Sequence, residues 1–259
     1  MDDLFDFDPG DAVPVAELFH ENSKLPPRVS NPYGSPFGTE HGAPGASGVQ
    51  TKAYRTGAVT DLPSLAPLSR DLSDLLRQRR SVRRYREEPV ELWQVGQLLG
   101  WSHGLLRTPA DASPPRRPAP SAGGLYPMEI FVAAQSVVGL KRGVHHYDVE
   151  THSLKQVAAG CALEEIHRAT LYPEIVTRAS LYVMMAAAFG RTCHKYGERG
   201  YRFVMLDCGH LAQNLHLVGA AVGLGSVGIG GFLDDQLNDV LDLDGVNEAV
   251  VHTMALGVE

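Results

Sequence analysis

Between about Arg202 and Gly223 the apolar residues Val204, Cys208, Leu211, Leu215, Val218 and Val222 recur at intervals of four and three. That period predicts a long helix with one unbroken apolar stripe, and Gly223-Leu224-Gly225 is its natural stop. Leu72, Leu75 and Leu76 share one face of a shorter helix over Ser69 to Arg80, with Ser69 as its N-cap. Leu92, Val95, Leu98 and Leu99 mark another helix, running through about Trp101. Strands are expected over Glu129 to Ala134 and Val144 to Val149, the second followed by a turn at Glu150-Thr151-His152. Leu181 to Phe189 is a continuous apolar run, compatible with a strand covered on both faces. A short helix from Gln236 to Leu241 and a strand near Val250 to Leu256 close the chain. Helices and strands do not alternate as in a doubly wound protein, so the expected class is α+β.

Two stretches interrupt this pattern. Residues 26–48 hold five prolines and five glycines without apolar periodicity, and residues 107–120 hold five prolines and three arginines. Both read as loop or extended arm, because Pro and Gly break helix and strand alike. Residues 1–23 carry seven acids and no Lys or Arg, and Val15 to Phe19 starts a short amphipathic helix. The expected organisation is an arm over residues 1–60, docking a partner or a second protomer, followed by one domain over 61–259.

Composition narrows the function classes. With 44% apolar and 20% charged residues among 259, the chain is globular and long enough for a real core. A net charge of −7 argues against a general nucleic-acid binder. No apolar run approaches the ~18–20 residues of a membrane span, and Met1-Asp2-Asp3 does not resemble a signal peptide, so a cytoplasmic protein is expected. Cys161, Cys193 and Cys208 lack C-x-x-C spacing, and His145-His146 lacks a second pair, so neither disulfides nor a metal site are expected.

Three segments carry candidate chemistry. Six arginines fall between Arg77 and Arg86 in an otherwise acidic chain. They read either as a solvated helix end or, through Arg79-Arg80-Ser81, as donors for a phosphate. Ser121-Ala122-Gly123-Gly124-Leu125-Tyr126-Pro127 leads into a strand, where two glycines allow either a tight turn or close approach of a flat ligand. Gly223 to Phe232 is a glycine-rich loop after the long helix, in the wrong order for a Rossmann fingerprint.

Taken together, Arg79 to Tyr85, Ser121 to Pro127, Asp207-Cys208-Gly209-His210-Leu211-Ala212-Gln213-Asn214-Leu215 and Ile229-Gly230-Gly231-Phe232 occur in the order of the nitroreductase-like flavoproteins. The chain resembles in particular their SagB-type branch, which contains the azoline oxidases of thiazole/oxazole-modified peptide biosynthesis. Phe19-His20-Glu21-Asn22-Ser23-Lys24 and His146 to Leu154 add to that likeness, which runs from about residue 15 to Gly257. The resemblance implies a nitroreductase-like fold, a mixed or antiparallel sheet flanked by helices, with the long helix in the core of a homodimer and FMN at its interface. It makes Arg79, Arg80 and Ser81 contacts of the FMN phosphate and ribityl chain, and Arg83 a cation near the flavin N1/O2 edge. Ser121, Ala122, Gly123 and Gly124 would lie along the isoalloxazine, contributed across the dimer, and Gly230 and Gly231 would aim an amide at flavin N5. The basic residue that many nitroreductases place near the C-terminus has no counterpart in Leu256-Gly257-Val258-Glu259, which would leave the phosphate to the early arginines.

The same branch carries a Lys-Tyr pair before the long helix, matched here by Lys195-Tyr196-Gly197-Glu198-Arg199. Alone, the dipeptide reads as surface. Within the resemblance, Lys195 is the base and Tyr196 its partner. Aromatising a thiazoline or oxazoline removes a proton from the α-carbon and a hydride from the neighbouring ring carbon; the hydride goes to flavin N5, and O2 reoxidises the flavin. A lysine serves as base when desolvation or nearby cations lower its ordinary pKa of ~10.4. The expected substrate is an azoline in a peptide or carrier-bound intermediate, with a cyclodehydratase as possible partner. The alternatives are an NAD(P)H-dependent nitro- or quinone reductase, or a non-catalytic FMN-stabilised scaffold in a biosynthetic complex.

Overall fold

The computed structural model describes residues 15–24, 51–106 and 116–259. The Pro/Gly-rich stretch at 26–48 lies outside these residues, as does most of the Pro/Arg loop. The sheet is built from β1 (Val59–Asp61), β3 (Met128–Ala134), β5 (Gly143–Asp148), β6 (Ser153–Ala159), β7 (Leu181–Ala188), β8 (Leu224–Ile229) and β9 (Glu248–Val258). Its order is β1-β6-β5-β3-β7-β9-β8, with every neighbouring pair antiparallel. A separate parallel pair joins β2 (Val90–Glu91) to β4 (Val137–Val138). The helices are α1 (Val15–Asn22), α2 (Leu72–Gln78), α3 (Leu92–His103), α4 (Ala162–Ala169), α5 (Pro173–Val176), α6 (Gly190–Tyr196), α7 (Arg199–Ala221) and α8 (Asp234–Val240).

The unbroken apolar run in β7 follows from its central place. Side chains alternate across a strand, and here both faces are covered. Leu181, Val183, Met185 and Ala187 meet Val95, Leu98 and Leu99 of α3 and Leu211, Leu215 and Val218 of α7. Tyr182, Met184 and Ala186 meet Leu163 and Ile166 of α4, Val176 of α5 and Leu237 of α8. The sheet thus lies between two helical layers, as the resemblance implies.

Three expectations are corrected. Asp71, not Ser69, caps α2: its Oδ1 accepts from the backbone N–H of Ser73 at 2.8 Å, so the helix starts two residues later. Only Leu75 of the three α2 leucines is buried; Leu72 and Leu76 stay exposed at 61% and 55%. Finally, most of the glycine-rich loop after α7 is strand β8. Its glycines serve close approach rather than turning: a Cβ on Gly225 would fall 2.7 Å from Val82 Cγ1, and one on Gly228 3.1 Å from His252 Nε2.

Candidate active site

The antiparallel pairing of β3 with β7 sets Met128 beside Ala187. The turn that precedes β3 therefore meets α6, which follows β7. Ser121 organises that turn. Its Oγ donates to the Asp207 carboxylate of α7 and accepts from the Tyr126 N–H at 2.9 Å. Burial raises the Asp207 carboxyl above its ordinary range, against the hydrogen bonds from Ser121 and the Ala122 amide. Ala122–Gly124 then form a single 3-10 turn in which Gly123 and Gly124 both have φ +65°.

Lys195 and Tyr196 occupy the last turn of α6 and are half-buried. Gly197 ends the helix at φ +56° and turns the chain into α7. The Lys195 Nζ lies 5.3 Å from the centroid of the Tyr196 ring, which stands edge-on to Phe203 at 5.0 Å. A Cβ on Gly123 would fall 2.7 Å from Tyr196 Oη and 3.1 Å from Lys195 Nζ. The glycine turn and the Lys-Tyr pair, 72 residues apart in sequence, are thus one packed unit. Gly124 differs: nothing lies within 4 Å of where its Cβ would be.

This contrast yields a prediction. Both Gly123→Ala and Gly124→Ala carry the cost of a positive φ, about 1–2 kcal/mol. Only Gly123→Ala must also displace the Tyr196 ring. Its melting temperature is expected to fall several degrees below that of Gly124→Ala, and equal values in thermal denaturation would refute the packed contact.

A buried charge network fixes α6 from below. Arg191, one turn before Lys195, donates through Nη1 to the Tyr126 carbonyl at 3.2 Å and pairs through Nη2 with Glu129 of β3. Glu129 also accepts from His146 Nε2 at 2.7 Å and from the Lys52 N–H at 2.9 Å. Burial would raise the Glu129 carboxyl, but His146 and Arg191 win and bring it to about 2. Sequence reading missed Glu129 and Arg191. The usable signals were an acid inside an apolar strand and an arginine at i−4 from Lys195. Arg117, near the end of the Pro/Arg loop, is buried: its guanidinium carbon lies 4.9 Å from the centroid of the Tyr126 ring, and its Nη1 touches His103.

The arginine cluster lies elsewhere, along the outer edge of β8. Ser81 bridges Ser226 in parallel, and Val82 N–H donates to the Ser226 carbonyl at 2.9 Å. Alternation then buries Val82 and leaves Ser81 and Arg83 exposed on one side. Arg79 is half-buried; Arg80 is exposed and pairs with Glu259. His216 of α7 lies 2.7 Å from Ser226 Oγ, and burial, then the Arg79 charge, lower its pKa. Gly230 and Gly231 follow β8 at its other end. Gly231 accepts from the Leu171 N–H at 3.0 Å, and a Cβ there would fall 2.9 Å from the Tyr172 ring. Gly230, like Gly124, faces open space.

The sequence-derived residues therefore fall into three groups: Ser121–Gly124 with Lys195-Tyr196, Arg79–Arg83 on the β8 edge, and Gly230-Gly231. Asp207 and His216, beneath the first two groups, stand nine residues apart on α7, a rise of roughly 14 Å. Among the described residues, no helix is long and apolar enough to cross a membrane.

Known proteins resemble this chain in sequence and fold. The nitroreductase homologue MJ1384 of Methanocaldococcus jannaschii is 34% identical over 172 residues, 66% of this chain and 84% of that protein. The microcin B17-processing protein McbC of Escherichia coli is 29% identical over 135 residues, 50% of this chain and only 49% of McbC. A crystal structure of a nitroreductase homologue from Anabaena variabilis superposes with a TM-score of 0.66 at 29% identity, over 81% of this chain and 45% of that one. The E. coli McbBCD microcin synthetase, solved with truncated pro-MccB17 bound, shares the fold at a TM-score of 0.58 and 20% identity, over 96% of this chain and 84% of that one. The nitroreductase family model matches residues 76–258, and the chain belongs to that family of oxidoreductases.

Proposed function

We propose that the protein is a cytoplasmic, FMN-dependent oxidase that converts thiazoline or oxazoline rings of a peptide or carrier-bound intermediate into the aromatic azoles. The observation that carries this reading is the packing of Lys195 and Tyr196 onto Gly123, which puts an amine and a phenol against a backbone turn open to a flat ligand at Gly124. Nitroreductase-family proteins generally use FMN. The residues here fit it: the positions of the Gly124 and Gly230 Cβ atoms are open, and Arg79, Arg80, Ser81 and Arg83 offer planar cations and a hydroxyl suited to a phosphate. Arg83 would stand near the flavin N1/O2 edge, Ser121 to Gly124 along the ring, and Gly230-Gly231 at N5. FMN supplies, when bound, a two-electron acceptor that O2 regenerates.

The chain's own residues do the rest. Lys195 Nζ takes the α-carbon proton of the ring, and Tyr196 holds the amine over its face. Gly124, whose Cβ position is open, lets a flat ring come close to the backbone. Following the family resemblance, we place the cofactor between two copies of the chain. Leu72 and Leu76 of α2 and Leu206 of α7 are exposed apolar side chains for the second copy to cover. The processing role in the name McbC, and the multi-component McbBCD synthetase, support a cyclodehydratase partner that supplies the heterocycle.

A heterocyclised peptide incubated with FMN-reconstituted protein in air is expected to lose two hydrogens per ring, read by mass spectrometry. The second reading, an NAD(P)H-dependent nitro- or quinone reductase, draws on the likeness to MJ1384. Unchanged peptide mass together with rapid anaerobic bleaching of the flavin by NADPH would decide for it.

A further inference from the structure

The segment Phe19 to Lys24 is not used by the chemistry above, yet the fold holds it firmly. Ser23 is only 2% exposed, although every residue of α1 before it is exposed. Arg202 donates through Nε to Ser23 Oγ at 2.7 Å and through Nη2 to the His20 carbonyl at 2.6 Å. Arg199 donates through Nη1 to the Ser23 carbonyl at 3.1 Å. Ser23 Oγ in turn donates to the Phe19 carbonyl. The Phe19 ring meets Tyr201 edge-on at 5.3 Å with Arg202 over its face, and Tyr201 stacks on Phe189 at 5.3 Å and 11°.

The electrostatics explain the choice of residues. Arginines in the first turn of a helix oppose its dipole, and Arg199 and Arg202 stand in the first turn of α7. Their charges are offset by the carbonyl end of α1, the negative end of that helix. The contacts bracket α6: Phe189 immediately precedes it, and Arg199, Tyr201 and Arg202 follow it within six residues of Tyr196.

We infer that α1 and Ser23 form a positioning clamp, which fixes α6 so that Lys195 and Tyr196 stay against the Gly123 turn. Ser23 and Arg202 are its positioning residues. The inference rests on the reading of Lys195 as the base, but its mechanical part is measurable without turnover.

The test uses full-length, FMN-reconstituted protein carrying Ser23→Ala, Arg202→Ala or Arg202→Lys. In the alanine variants, amide hydrogen exchange across residues 190–203 is expected to rise about tenfold or more. Acetylation of Lys195, scored by peptide mass spectrometry against the remote Lys155, should rise with it. Azoline oxidation should lose about tenfold in kcat at unchanged KM and flavin content, since small misplacement of a reacting group is costly. Arg202→Lys, keeping the charge and a donor, should recover part of each. Unchanged exchange and labelling at α6 would overturn the clamp, and so would raised exchange with undiminished kcat. If the parent chain does not oxidise the peptide, the functional reading falls, and exchange with Lys195 labelling decides the clamp alone.

Discussion

Lys195→Ala is expected to slow azoline oxidation about 10²- to 10⁴-fold, the usual worth of a positioned general base, while the FMN content and melting temperature stay close to the parent's. The side chain is half-buried in the last turn of α6 and shares no hydrogen bond with the Glu129 network below it, so its removal leaves that network intact. Lys195→Arg should not rescue the rate, because a guanidinium cannot release its proton near neutral pH and so cannot accept one from the substrate. Tyr196→Phe keeps the ring over which Lys195 Nζ sits and deletes only Oη, so a smaller loss is expected, about tenfold. Initial rates of mass loss for the three variants, at matched flavin content, give the comparison. A Lys195→Ala protein that oxidises at the parent rate would remove Lys195 from the reaction.

That prediction depends on a juxtaposition only partly legible in the sequence. The period of α7 and the apolar run of β7 are plain, because each buries a stripe or both faces and no other pattern fits. The Lys-Tyr pair was identified by resemblance, not by pattern, whereas the two glycines of Ser121 to Pro127 marked that segment by themselves as a tight turn or a site of close approach. Their contact was not readable at all, since it is created by the register of β3 on β7, which sets Met128 beside Ala187. α6 escaped notice because seven residues rich in polar groups bury only Thr192 and leave no period to see. β8 was misread as loop for a different reason. Gly225 and Gly228 remove the side chains that would show alternation, and they do so because Val82 and His252 occupy that space. α2 began late because the Asp71 carboxylate accepts from two amides of its first turn and so sets the cap two residues after Ser69.

Loss of Glu129 should weaken the fold strongly. Its side chain is 6% exposed and holds Arg191 and His146 together beneath the candidate site. Glu129→Ala leaves the Arg191 guanidinium, itself 12% exposed, without its carboxylate. Breaking one side of a buried pair costs about 3–5 kcal/mol, and urea denaturation should show it. Glu129→Gln isolates the charge, because glutamine is close in shape to a protonated glutamic acid. A carboxyl lowered from 4.5 to about 2 on folding contributes stability that is fully present above the unfolded value and is lost as pH falls through the folded one. The gap between parent and Glu129→Gln should therefore be about 3 kcal/mol at neutral pH and shrink to less than half by about pH 3. Asp207 works in the opposite direction, since its raised carboxyl favours the folded state on acidification, but it is common to both proteins and cancels in the difference. A gap that stays constant with pH would mean that shape, not charge, holds Glu129 in place. Weaker anchoring of Arg191 would also release the Tyr126 carbonyl and the base of α6, so Glu129→Gln should slow oxidation more at pH 7 than its melting temperature alone explains.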